Sequence, residues 1–138
     1  MRPTAALETV VRTDADLLAL WERLMGAGGF ATRSVWLLFL STGGRPEPVI
    51  VPIDDLPDLP DERFVHALGD IISGLTESGD VASVAMLLSR PGPGAMTDSD
   101  RCWARALVPL ASRWPVHLAT TDVVRCFAPD DLLPCDVA

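Results

Sequence analysis

Apolar positions along this chain follow two rhythms, one helical and one extended. In TDADLLALWERLM, Leu17, Leu20, Trp21 and Leu24 fall at i, i+3, i+4 and i+7, one face of a helix. Thr13 stands ahead as a cap and Asp16 follows three residues later, the spacing of a capping box. GAGG ends the helix. SVWLLFL is a continuous apolar run of strand length, which predicts a strand buried on both faces. STGGR predicts a turn, and PEPVIVPI the returning strand. Pro46, Pro48 and Pro52 all occupy even positions, so their missing N–H groups point to one side. That side must be an unpaired sheet edge. Val49, Val51 and Ile53 then share the inner face. DDLPDLPDE predicts a solvated, proline-broken loop.

From Asp61, ERFVHALGDIISGL predicts a second helix with Phe64, Leu68, Ile71, Ile72 and Leu75 on its buried stripe. VASVAMLL predicts a second buried strand. LLSRPGPGAMTDSD then interrupts the apolar pattern with alternating prolines and glycines. Thr97 and Asp100 again have capping-box spacing, so TDSDRCWARALVPL predicts a third helix, which Pro109 kinks or ends. WPVHLATT and VVRCFA read as two short strands around Thr121–Asp122, and PDDLL as a last helical turn. This order predicts an α/β (α+β) fold, a mixed sheet with flanking helices.

At 138 residues the chain is expected to be one domain with a core sufficient for folding without a disulfide or metal. Its net charge of −8 and scattered arginines lack the basic stripe that neutralises phosphates, so nucleic acid is not an expected partner. VWLLFL is far shorter than the ~20 residues of a membrane span, so no membrane association is expected. Cys102, Cys126 and Cys135 are odd in number and form no CxxC. With an acidic N-terminus in place of a secretory signal, they suggest the cytoplasm. Lys, Asn, Gln and Tyr are all absent, and every basic residue is arginine, which suggests a GC-rich genome.

Candidate chemistry is sparse. His66 lies mid-helix, off the apolar stripe, and His117 lies in a short strand; both read as ordinary histidines. A catalytic zinc site wants about three protein ligands, and no HxH, HExxH or CxxC is present. No serine stands in GxSxG, and SRPGPG lacks the GK[ST] of a phosphate loop. Cys102 lies in the first turn of a helix, which favours a thiolate, but Asp98, Ser99 and Asp100 crowd that end with acid.

One resemblance is carried by the apolar strand VASVAMLL, the loop SRPGPGAM and the helix start TDSD, followed by WPVHLATTDVVRCFAPDDLL. The segment 34–133 resembles the JAB/MPN domain, and most closely its bacterial RadC-like branch. Residues 1–33 are then an N-terminal extension with one helix packed on the domain, and 134–138 a tail. The resemblance implies a cytidine-deaminase-like architecture. It places Leu88 and Arg90 where the family has its two metal-binding histidines. Pro91 matches the family proline, Thr97 the serine of S-x-x-D, and Asp100 the aspartate ligand. Glu47 corresponds to the glutamate that activates water. The loop is one residue shorter than the family's. With both imidazoles replaced, the resemblance implies no zinc, no cofactor and no metal chemistry.

The resulting expectation is a non-catalytic module that binds a protein partner or a second copy of itself. The alternative is a small-molecule or anion-binding protein, or a non-metal hydrolase, that reuses the cleft around Arg90. A guanidinium beside a helix N-terminus suits a carboxylate or phosphate.

Overall fold

The computed structural model describes residues 10–26, 30–79, 81–111 and 113–132. Element order is α1 (Asp14–Met25), β1 (Ser34–Leu40), β2 (Pro46–Ile53), α2 (Glu62–Glu77), β3 (Ser83–Ser89), α3 (Asp98–Leu107), β4 (His117–Ala119) and β5 (Val124–Cys126). Short 3-10 turns cover Val108–Leu110 and Pro129–Leu132. The five strands form one mixed sheet in the order β2-β1-β3-β4-β5. β1 is antiparallel to both neighbours, β3 and β4 are parallel, and β4 and β5 are antiparallel. The expected α/β class is what the chain adopts.

Alternation along the strands makes two cores, one per sheet face. Val35, Leu37, Met86, Leu88 and Leu118 face α2 and α3, meeting Leu68, Ile72, Trp103 and Leu107. Leu38, Leu40, Ala85, Leu87 and Ala119 face α1, meeting Leu17, Leu20 and Trp21. The N-terminal helix therefore supplies one of the two apolar layers that cover the sheet. Its capping box is formed: Thr13 Oγ1 accepts from the Asp16 amide, and Asp16 accepts from the Thr13 amide.

β2 is an edge strand, as its prolines require. Val51 and Ile53 join the inner core; the Val49 side chain and residues 134–138 lie outside the described residues. Ile71 is a correction, being 56% exposed. It lies about 100° around the helix from Ile72, at the rim of the stripe that Leu68, Ile72 and Leu75 define. Pro109 ends α3 as expected: the helix stops at Leu107 and tightens into a 3-10 turn.

Candidate functional site

The loop after β3 contains Pro91 and Pro93, which carry carbonyls but no N–H groups. Those carbonyls need donors, and Arg90 provides them. Its Nη1 donates to the carbonyls of Pro91 and Pro93 at 3.0 Å each, and its Nη2 donates to the Ala95 carbonyl at 2.9 Å. Nε and Nη2 also form a fork on Asp100, at 2.7 Å to Oδ1 and 2.8 Å to Oδ2. A guanidinium has five N–H groups, and all five are engaged. Arg90 is 5% exposed and Asp100 is fully buried.

Asp100 is equally well satisfied. Besides Arg90 it accepts from Arg33 Nη1 at 3.2 Å and from the Thr97 amide at 3.0 Å, while Thr97 Oγ1 accepts the Asp100 amide at 3.1 Å. The capping box is therefore present, within a larger lock that clamps the loop to α3. Burial by itself pushes the Asp100 carboxyl up; the hydrogen bonds from Arg90 and the Thr97 amide outweigh it and hold the group below the usual aspartate value. The far side of the loop is tied down too. Gly92 N–H donates to Thr121 Oγ1, and Gly94 N–H donates to Asp122, each at 3.0 Å. A Cβ on Gly94 would sit 2.8 Å from Val123 Cγ1, which explains a glycine there.

Several expected site residues change meaning. Arg90 has no donor left for an external anion, so the anion-binding role proposed for it is corrected. Its partner is Asp100, while Asp98 pairs with Arg101. Leu88 is fully buried in the α2/α3 core, opposite Val35 and Leu118. Glu47 does not approach the lock. It lies at the Leu40 end of β2, level with Ser83 at the start of β3, whereas Arg90 follows the other end of β3. A seven-residue strand, roughly 20 Å, separates them. Pro91, Thr97 and Asp100 are brought together with Arg90, and Glu47 and Leu88 are not. These residues do not fit a zinc ion: Leu88 has no donor atom, Arg90 is a cation, and the Asp100 carboxylate is already taken by Arg90 and Thr97. Among the described residues, no group of three or more His, Cys, Asp or Glu could hold a metal ion.

The remaining titratable groups offer little chemistry. His66 is 82% exposed at its side chain and sits 3.4 Å from Asp70. His117 differs from the ordinary exposed or partly buried histidine expected, being 1% exposed with Nδ1 unpartnered. It lies directly opposite Cys126 across the β4–β5 hairpin. The hairpin's hydrogen bonds fall on Phe127–Val116 and Thr120–Val123, which makes His117–Cys126 one of the close, non-hydrogen-bonded pairs. Burial pushes the His117 pKa down to about 4, against smaller upward pulls from a backbone hydrogen bond with Pro115 and the charge of Asp14. Burial also pushes the Cys126 thiol up, and the charges of Asp14 and Asp131 add to that. Near neutral pH the pair is thus a weak base beside a protonated thiol, a poor nucleophile. Cys102 is disulfide-bonded, so it is no free nucleophile. That bond also removes the cysteine argument for a reducing compartment.

A groove of about 650 Å³ opens between α2 and the end of α3. Val65, Ile72, Ala106, Pro109 and Leu110 form apolar walls, and His66 and Asp70 stand among its lining. Helical periodicity places α2's apolar stripe but does not reveal a groove beside it.

No protein-family model matches this chain, and no curated protein matches it. The likeness to JAB/MPN domains rests on the quoted motifs and the order of elements alone. No helix among the described residues is long and apolar enough to cross a membrane.

Proposed function

We propose that this chain is a non-catalytic, JAB/MPN-like module that binds another protein or a second copy of itself in the cytoplasm of a GC-rich bacterium. The observation that carries the reading is the saturation of the Arg90–Asp100 lock. The Arg90 guanidinium and the Asp100 carboxylate are both satisfied internally, which leaves neither free to act on a substrate. The α2–α3 groove supports it by offering a concave surface with apolar walls and a charged rim, away from that lock. The alternative of an anion site or hydrolase around Arg90 needs a free guanidinium donor, and Arg90 has none.

The test compares the wild-type chain with Ser73→Arg, which places a long cation in the groove at an exposed helix position. Light scattering after size exclusion reads self-association, and affinity capture from native lysate reads other partners. A dimer or a reproducible partner that Ser73→Arg loses supports the reading. A monomer with no partner enriched over the variant contradicts it.

A further inference from the structure

A second cavity, of about 460 Å³, lies beneath the β1–β2 turn, at the opposite end of β1 from the Arg90 lock. Arg12 enters it from the segment ahead of α1, and Arg113 from the segment ahead of β4. Ser41, Thr42, Gly43 and Gly44 form the turn above, and Ser83 and Trp114 complete the wall. We infer that this cavity is a binding site for a small, multiply charged oxyanion, a phosphate- or carboxylate-bearing molecule.

Charge is the first reason. The chain carries 19 acidic against 11 basic residues, yet among the described residues no Asp or Glu lines this cavity. The α2–α3 groove contains Glu62 and Asp70, and two further cavities contain Glu22 with Asp122 and Asp54 with Asp55. Two arginines therefore line a concavity that, among the described residues, holds no carboxylate, in an acidic protein. Neither forms an ion pair among the described residues. The nearby Asp16 carboxylate is held mainly by the amides of Arg12 and Thr13 as the α1 cap, with a smaller attraction to the Arg12 charge.

Construction is the second reason. The Arg113 guanidinium lies 4.6 Å from the centre of the Trp114 ring, and that ring is buried. Stacking holds the cation in place and leaves its N–H edge available. Trp114 Nε1 donates to Ser83 Oγ at 2.9 Å. Ser83 is thereby an acceptor in that bond and keeps its own proton to donate. The turn is fixed from behind: Val11 N–H donates to the Gly44 carbonyl at 2.8 Å, and a Cβ on Gly44 would lie 1.9 Å from the Val11 carbonyl oxygen. Arg12, the next residue, is carried to the cavity by that contact. Two forks and a hydroxyl donor on separate segments suit an anion with several oxygens better than a monovalent ion.

The experiment titrates the whole chain with pyrophosphate and, separately, with citrate, against sodium chloride of equal ionic strength. Tryptophan indole N–H signals are followed by NMR, and Arg12→Gln, Arg113→Gln and the exposed Arg63→Gln are compared. Saturable shifts with either anion but not chloride, weakened at least tenfold by Arg12→Gln and by Arg113→Gln and unchanged by Arg63→Gln, are expected. The stronger of the two anions identifies phosphate or carboxylate as the preferred group. Unfolding temperatures within a few degrees across the set show that the variants fold. No saturable shift, or saturation equal in all four chains, overturns the inference. The groove tested by Ser73→Arg is a different cavity, so either result leaves the other readable.

Discussion

The loop after β3 and the layer between α1 and the sheet both bury polar groups, and they treat them in opposite ways. In the loop, Arg90 meets five acceptors and Asp100 meets donors from three residues. Beneath α1, Trp21 Nε1 and His117 Nδ1 are buried without a partner. A charged pair removed from water is tolerated when every lone pair and proton is matched. A neutral ring is tolerated unmatched because its desolvation is smaller, on condition that it stays neutral. The first region is therefore sensitive to losing a partner, and the second to gaining a proton.

The sharpest way to break this contrast is to remove Arg90. Arg90→Met strands a buried carboxylate and three loop carbonyls, and about 3–5 kcal/mol of stability should be lost by urea denaturation. Arg90→Lys should recover little, because an ammonium cannot reproduce the fork. A loss below about 1 kcal/mol would show that the lock is not structural.

The second region should respond to pH. His117 takes up a proton near pH 6.5 when unfolded but only near pH 4 when folded. The unfolded chain thus binds more protons between those values, so stability falls as pH drops from about 6.5 to about 4. The whole difference is roughly 3 kcal/mol. His117→Leu should flatten that part of the curve. Asp100 acts in a lower window: its carboxyl is held down, so its contribution is full above the ordinary aspartate value and lost as pH falls through the lowered one. Parallel curves for wild type and His117→Leu would remove the histidine from the account.

Smaller effects separate the two capping boxes. Thr97→Ala removes an acceptor inside the lock and should cost about 1–2 kcal/mol. Thr13→Ala removes the same bond at an exposed helix end and should cost about 0.5–1 kcal/mol. Equal losses would mean that the lock adds nothing to its cap.

Much of this was legible in the chain. Both capping boxes, the proline-marked edge and the two buried strands follow from spacing alone, because each depends on residues close in sequence. The His117–Cys126 pair was within reach as well. A two-residue turn at Thr121–Asp122 sets Thr120 against Val123, and counting outward sets His117 against Cys126. The burial of His117 was not legible, because α1, which covers that face, lies about a hundred residues earlier. The role of Arg90 was hidden for another reason. Arginine beside Pro-Gly-Pro-Gly reads as a free cation on a loop, and only the folded path turns three carbonyls back onto its guanidinium. Glu47 was misplaced because the long-range antiparallel pairing of β3 with β1 puts Arg90 at the end of the sheet away from the β1–β2 turn, next to which Glu47 lies.

The central claim is that Arg90 and Asp100 act as one closed unit, and a double-mutant cycle in urea tests it most directly. Arg90→Met and Asp100→Leu are each expected to destabilise by about 3–5 kcal/mol, and the double variant by far less than their sum, giving a coupling of several kcal/mol. Additive losses within about 0.5 kcal/mol would contradict the account, because two residues that do not complete each other leave nothing unpaired when one is removed.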